Sequence, residues 1–141
     1  MEELQDRLGY HFNTTELLEE AVHPAGTRPL QGSKRLALLG DSVLSTSLLD
    51  EWYNSEDTIG TLRCESGNDM LQSNACNKNL SCKGEASEID DFINGHPAQK
   101  GHITRGTRAT TVEAILGAVW IDSGMSMHAV DCVKDKFAID K

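Results

Sequence analysis

The stretch RLALLGDSVL, Arg35 to Leu44, constrains this chain more than any other part of it. Leu36, Leu39, Val43 and the Leu48–Leu49 pair recur at helical spacing, and Leu38, Leu44 and Trp52 widen the apolar face. The pattern predicts a helix from about Lys34 to Tyr53, apolar over most of its circumference and therefore central. Yet Gly40 and Asp41 sit in its middle. A bare buried carboxylate is strongly unfavourable, so Asp41 needs a partner or a cation. Gly40 beside it permits close approach of a second helix.

The second helix is predicted over Ala109–Asp122, where Val112, Ile115, Leu116, Val119 and Trp120 trace one face and Gly124 is a plausible stop. Thr110, Glu113 and Gly117 share another face, as Ala37, Asp41 and Ser45 do on the first helix. If both helices cross the core, each carboxylate requires a partner. One carboxylate from each helix, with small residues around them, makes a hard-cation site of the kind that holds Mg²⁺, with Mn²⁺ as a possible substitute. The plainer alternatives are a local salt bridge of Asp41 with Arg35 or a lysine, and a Glu113 that simply faces solvent.

The remaining segments read as helix and loop. NTTELLEEAV starts a helix near Thr14, capped by Asn13 or Thr14 and stopped by His23–Pro24, with His23 as a packing or cap residue. Residues 58–82 are helical with mixed spacing. Residues 83–108 are loop-rich around a short helix in SEIDDFI, and an amphipathic helix closes the chain from Ser126 to Phe137. DEWYNSED reads as a solvated helix end. No alternating strand pattern occurs, so the expectation is one all-α domain over residues 1–141. The 38% of apolar residues suffice for its core.

The net charge of −9 argues against a generic nucleic-acid binder but leaves room for a local basic strip. QKGHITRGTR supplies one: Lys100, His102, Arg105 and Arg108 are the candidate phosphate contacts, an ordinary solvated loop being the alternative. Cys64, Cys76, Cys82 and Cys132 form no C-x-x-C pair. They read as half-buried thiols in a reducing setting, with one or two disulfides as the alternative. MEELQDRLGYHF lacks the plan of a signal peptide, and no apolar run approaches the roughly 18 residues that span a membrane. The expectation is an intracellular setting without a membrane, in the cytoplasm, nucleus or mitochondrion.

Four segments together resemble the ribonuclease III family. KRLALLGDSVLSTSLLDEWY is similar to the signature E-R-L-E-F-L-G-D. LGYHFNTTELLEEAVHPAGT resembles the family opening F-x-x-x-x-L-L-x-x-A-L-T-H-x-S. LQSNACNKNL resembles V-S-N-x-x-L-A, with Asn74 at the matching asparagine. GTRATTVEAILGAVWIDSG resembles D-x-F-E-A-L-I-G-A-x-Y-L-D-x-G. They occur in family order over about residues 8–124.

The resemblance implies an all-α endonuclease domain that dimerises around a valley for double-stranded RNA. It also implies four acidic residues per site that bind Mg²⁺ and activate water, leaving 3′-hydroxyl and 5′-phosphate ends. Carried over by position, Asp41 is the signature aspartate and Glu113 the glutamate of the later helix. Ala37 stands where the family has a glutamate, Thr110 where it has an aspartate, and Lys34 where it has a further acid at the dimer cleft. The short bacterial Mini-III subfamily, which lacks a double-stranded-RNA-binding domain, looks similar at Ala37 and Thr110, and its members are active nucleases. The implied function is therefore Mg²⁺-dependent cleavage of double-stranded or structured RNA by a homodimer with a reduced acidic set. The alternatives are a catalytically degenerate RNA-binding or mitochondrial-ribosomal scaffold, and an altered specificity for single-stranded RNA.

Overall fold

One helix is buried on nearly every side, and the others wrap it. The structure, a computed structural model, describes residues 1–24, 32–55, 63–93 and 103–141. Among these residues the chain forms only helices: α1 (Glu2–Leu8), α2 (Thr15–Ala21), α3 (Lys34–Asn54), α4 (Cys64–Ala75), α5 (Asn77–Ala86), a 3₁₀ turn (Ile89–Phe92), α6 (Arg105–Asp122) and α7 (Met127–Phe137). In α6, Ala109, Val112, Ala114, Ile115, Leu116, Ala118 and Val119 are all buried. That central place was expected for the helix at 34–53. α3 has the predicted extent, but Lys34, Arg35 and Asp41 are exposed and Leu38 is 76% exposed. Apolar spacing defines a stripe without saying which flank of the stripe a neighbour covers.

α3 and α6 meet backbone to backbone. A methyl group at Gly40 would collide with the Glu113 carbonyl, and one at Gly117 with the Leu36 carbonyl. The two glycines lie opposite each other, so no side chain separates the helices at the crossing. Around this axis α2 contributes Leu18 and Ala21, and α7 contributes Val130, Val133 and Phe137. α1, which the helical periodicity did not reveal, adds Leu4 and Leu8. No side chain caps its start, whereas Asn13 and Thr14 announce the equally short α2.

Two polar anchors fix the wrapping helices. Asp122, the last residue of α6, accepts hydrogen bonds from the Tyr10 hydroxyl (2.7 Å) and from the backbone N–H groups of Asn13 (3.0 Å) and Thr14 (2.8 Å). Thr14 is the N-cap of α2 as expected, though its own hydroxyl does not cap the helix. Burial raises the Asp122 carboxyl and these three donors outweigh it, so the net shift is downward. Burial, with Asp122 as hydrogen-bond partner and neighbouring charge, pushes the Tyr10 phenol up to about 12. Asp122→Asn is expected to cost about 2 kcal/mol of stability, because it weakens three hydrogen bonds at once. It should also move the Tyr10 titration below about 12 while leaving it above that of an exposed phenol. Ultraviolet titration of the folded variant reads that shift; an unmoved phenol would contradict the assignment.

The second anchor is Lys134, 0% exposed, which no periodicity revealed. Its ammonium donates to the Ser47 hydroxyl (2.7 Å) and the Glu51 carboxylate, and lies 3.6 Å from Asp131. Ser47 in turn donates to Asp131 at 2.5 Å. The cluster ties α7 to α3; DEWYNSED is a solvated helix end as expected over its described residues, with Asp50, Glu51, Tyr53 and Asn54 exposed, and two of its residues also make contacts. Glu51 holds the buried lysine, while Trp52 lies over Gly67 of α4 and donates to Ser66 at 3.3 Å. All four cysteines are free and exposed rather than half-buried.

Candidate active site

The α3–α6 crossing decides where the two carboxylates go. Gly40 and Gly117 draw the helices together, and Asp41, the residue after Gly40, then projects beside Glu113. The two carboxyl groups are hydrogen-bonded to each other. Asp41 itself is exposed and only Glu113 is half-buried, so the pair lies at the rim of the core rather than within it. Burial, then the hydrogen bond to Asp41 and its negative charge, pushes the Glu113 carboxyl from 4.5 up to about 8.

The pair lines a cleft of about 430 Å³ together with Lys34, Arg35, Ala37, Leu38 and Thr110. Lys34, Ala37 and Thr110, the three positions where the resemblance implies an acid, therefore line the same space as Asp41 and Glu113. The cleft continues on both sides. A hollow of about 290 Å³ shares Lys34 and Thr110 with it, and one of about 570 Å³ shares Asp41 and is bounded by Ser45, Leu71, Gln72, Ala75 and Cys76. The groove is cationic at its Lys34–Arg35 end and anionic at its middle.

Whether this pair suits a cation follows from its chemistry. Two carboxyls close enough to hydrogen-bond converge on one point, and the burial that raises Glu113 is the penalty that a bound cation removes. Mg²⁺ keeps several waters and is commonly held by one or two carboxylates plus substrate phosphates. The small Ala37 and Thr110 side chains leave room for such a hydrated ion. Ca²⁺, which takes six to eight oxygens, fits two carboxylates less well. Among the described residues one cluster of three potential ligands occurs elsewhere, Glu2, Asp6 and His11, all exposed.

Because Glu113 holds a proton up to about pH 8, loading the site with Mg²⁺ near neutrality must release it. Mg²⁺ affinity is therefore expected to rise with pH until about 8 and then level off. Calorimetric titration in buffers of different ionisation enthalpy would count the proton, and an affinity independent of pH below 8 would contradict this reading.

The basic segment is divided by the structure. Lys100 and His102 lie outside the described residues. Arg105 and Arg108 belong to α6 rather than to a loop. Arg105 is exposed. Arg108 is engaged by Asp90 through two bonds (2.7 and 2.5 Å) and by Ser81 (3.0 Å), an arrangement that joins α6 to α5 and the 3₁₀ turn. Its guanidinium is thus committed to the fold. His23 lies beside Glu16, Glu19 and Glu20, away from the carboxylate pair. Sequence reasoning missed the hydroxyl-lined hollow of Ser33, Thr104 and Thr107, because those residues converge only once α3 and α6 are crossed.

Comparison with known proteins gives the family and the fold. The family model described as the ribonuclease III domain matches residues 34–124, which contain both carboxylates. A protein named Ribonuclease 3 from Alkalilimnicola ehrlichii is 32% identical over 130 residues, covering 86% of this chain and 53% of that protein. One of the same name from Shewanella sediminis is 35% identical over 124 residues, covering 84% and 52%. The chain thus spans about half the length of the curated relatives it matches. Among solved structures, the nuclease domain of ribonuclease III from Campylobacter jejuni superposes with a TM-score of 0.86 at 20% identity, covering 97% of this chain and 92% of that one. A second structure of that nuclease domain, described as showing structural flexibility in a region involved in dimer formation, gives the same score. At this identity the likeness establishes the fold.

Proposed function

The chain belongs to the ribonuclease III family, and on that premise we propose that it is an endoribonuclease hydrolysing phosphodiester bonds in double-stranded or structured RNA with a divalent cation, Mg²⁺ in the first instance. The observation that carries the proposal is the convergence of Asp41 and Glu113 in an open cleft at the α3–α6 crossing. Asp41 and Glu113 would hold the ion. When bound, Mg²⁺ supplies positive charge to the phosphodiester and makes a water more acidic.

This chain's residues do the rest. Glu113 gives up its proton as the site fills. The Thr110 hydroxyl lines the same space and can hydrogen-bond a water that a carboxylate would otherwise have held. Lys34 and Arg35 at the cleft rim offset the charge of an incoming phosphate backbone. In the overall reaction the oxygen of water bonds to phosphorus and the bond to the 3′ oxygen breaks. The products carry a 3′-hydroxyl and a 5′-phosphate.

A homodimer is part of the proposal. Leu38 is 76% exposed at the cleft rim, where an apolar side chain is best covered by a second copy. The Campylobacter domain, described as flexible in a region involved in dimer formation, has the same fold. A second reading, a scaffold that binds RNA without cutting it, is favoured by Ala37, which faces the cleft and offers no ligand.

Incubating the purified chain with long duplex RNA and with single-stranded RNA of the same sequence, in Mg²⁺ or in EDTA, tests these readings. Cleavage of the duplex in Mg²⁺ alone is expected. Cutting confined to the single strand would transfer the proposal to that substrate, and RNA binding with no cutting in either arm would leave the scaffold.

A further inference from the structure

We infer that Asn79 is a positioning residue for the proposed reaction: its amide fixes the last turn of α4, the groove wall that faces Asp41, and so sets how RNA seats beside the carboxylate pair. The inference rests on the nuclease reading above for its RNA, while the geometry stands apart from it. The hollow of about 570 Å³ next to the carboxylate cleft takes Asp41 and Ser45 from α3, and Leu71, Gln72, Ala75 and Cys76 from the end of α4. A strand leaving Asp41 on this side runs between the two helices, where the exposed Gln72 offers an amide to sugar or phosphate oxygens.

α4 has little of its own to hold that wall in place. Of its twelve residues only Gly67 is buried, and it packs on the Trp52 ring. The Trp52 indole also donates to the Ser66 hydroxyl at 3.3 Å. These contacts fasten the first turns. Towards the other end Met70, Leu71 and Ala75 are only partly buried, and no buried residue follows Gly67 until Leu80 of α5. Cys76 alone, extended at ψ 155°, separates α4 from α5. A helix end with so few buried contacts shifts at low cost unless something ties it down.

Asn79 is that tie. Its amide nitrogen donates to the Asn74 carbonyl at 2.7 Å and to the Ile139 carbonyl at 2.9 Å. Asn74 lies in the last turn of α4, where carbonyl groups lack intrahelical donors. Ile139 is 1% exposed, and Ala138 before it takes a left-handed φ of 54° that turns the chain after α7. Lys83 of α5 holds the same tail by donating to the Lys141 carbonyl at 3.0 Å. The two N–H groups of one amide thus join the open end of α4 to a carbonyl anchored in the core. Aspartate has the same size and offers no N–H for either bond. Asp41 and Glu113 sit at the α3–α6 crossing, which Asn79 does not touch, so its influence falls on the RNA and not on the metal.

Two measurements on the full chain test this. In amide hydrogen exchange, Asn79→Asp and Asn79→Ala are expected to speed exchange over residues 71–75 by about tenfold and to leave α6 unmoved. In steady-state cleavage of duplex RNA with Mg²⁺, both variants should raise KM by about tenfold, with kcat and the Mg²⁺ dependence close to those of the unaltered protein. Asp122→Asn is the control for stability alone. It weakens the anchor of Tyr10, Asn13 and Thr14 and should leave KM where it was.

Unchanged exchange over residues 71–75 overturns the positioning role outright. Faster exchange there with an unchanged KM makes Asn79 a purely structural residue, while the nuclease reading stands. If the unaltered protein cuts no RNA, the nuclease reading fails by itself, and binding of a short duplex in EDTA decides the role of Asn79. Binding about tenfold weaker in both variants supports the positioned wall, and equal binding overturns it. Should Asn79→Asp fail to fold, seen as lost protection throughout the chain, Asn79→Ala decides the question, because it sets no charge against the two carbonyls.

Discussion

Glu113→Gln is expected to reduce duplex-RNA cleavage by about 1,000-fold, equivalent to about 4 kcal/mol of transition-state stabilisation, and at the same time to make the metal-free protein more stable above neutral pH. The amide keeps the size and burial of the side chain but cannot carry the negative charge that a cation needs. Asp41→Asn should impair cleavage similarly, because the site has two carboxylates and loses half its ligand charge either way.

The gain in stability follows from the proton that Glu113 retains. Its carboxyl lies at about 8 in the folded chain against 4.5 without the fold, raised first by burial and then by Asp41. The folded state therefore binds more protons than the unfolded state between those values. Stability of the metal-free protein must then fall as pH rises from about 4.5 to about 8. Glutamine never ionises, so this decline is absent from Glu113→Gln, and the two proteins should differ most at alkaline pH and least in acid. Denaturant titrations in EDTA at several pH values, beside cleavage rates in Mg²⁺, provide the check. A variant that lost both activity and stability at every pH would show Glu113 to be a structural residue, and cleavage that persisted in the Asp41→Asn, Glu113→Gln double variant would remove the site from this pair.

Gly40→Ala is expected to destabilise the protein by about 3 kcal/mol or more, lowering the melting temperature by about 10 °C. An ordinary glycine-to-alanine change inside a helix should stabilise it by up to about 1 kcal/mol through propensity. Here the new methyl would overlap the Glu113 carbonyl, which is backbone and cannot rotate away. The helices must separate, and separation also moves Glu113 relative to Asp41, so cleavage should fall with stability. Gly117→Ala meets the Leu36 carbonyl and should behave similarly. Gly106→Ala is the control: its methyl has open space and should cost nothing in stability. Thermal unfolding of the three variants decides it, and an unchanged melting temperature in Gly40→Ala would mean that the crossing is looser than described.

Much of the fold is legible in the chain because it is written in local periodicity. The extents of α3 and α7, and most of α6, come from apolar spacing and cap residues such as Ser126, whose hydroxyl accepts from the Ala129 N–H. Features that depend on a partner are not legible in that way. Leu38 has the same apolarity as Leu36, yet one is at the rim of a cleft and the other in the core. Lys134 reads as a surface lysine until α7 is laid on α3 and Ser47, Glu51 and Asp131 surround it. Arg108 reads as one cation of a basic strip until Asp90 takes it.

The candidate site divides along the same line. Asp41 after Gly40 in one helix, and Glu113 four residues before Gly117 in another, are visible in the sequence, together with Ala37 and Thr110 one turn and three residues before them. The sequence by itself determined the long helices α3 and α7 and most of α6, the two carboxylates on α3 and α6 and the two glycines near them, because residue type and helical spacing are local properties. Only the tertiary structure decided that the carboxyl groups touch, that Glu113 keeps a proton to about pH 8, and that a hollow of hydroxyls and one lysine opens beside them. Distance, burial and charge neighbourhood arise between segments some seventy residues apart along the chain, and they exist only once α3 and α6 are pressed together through Gly40 and Gly117.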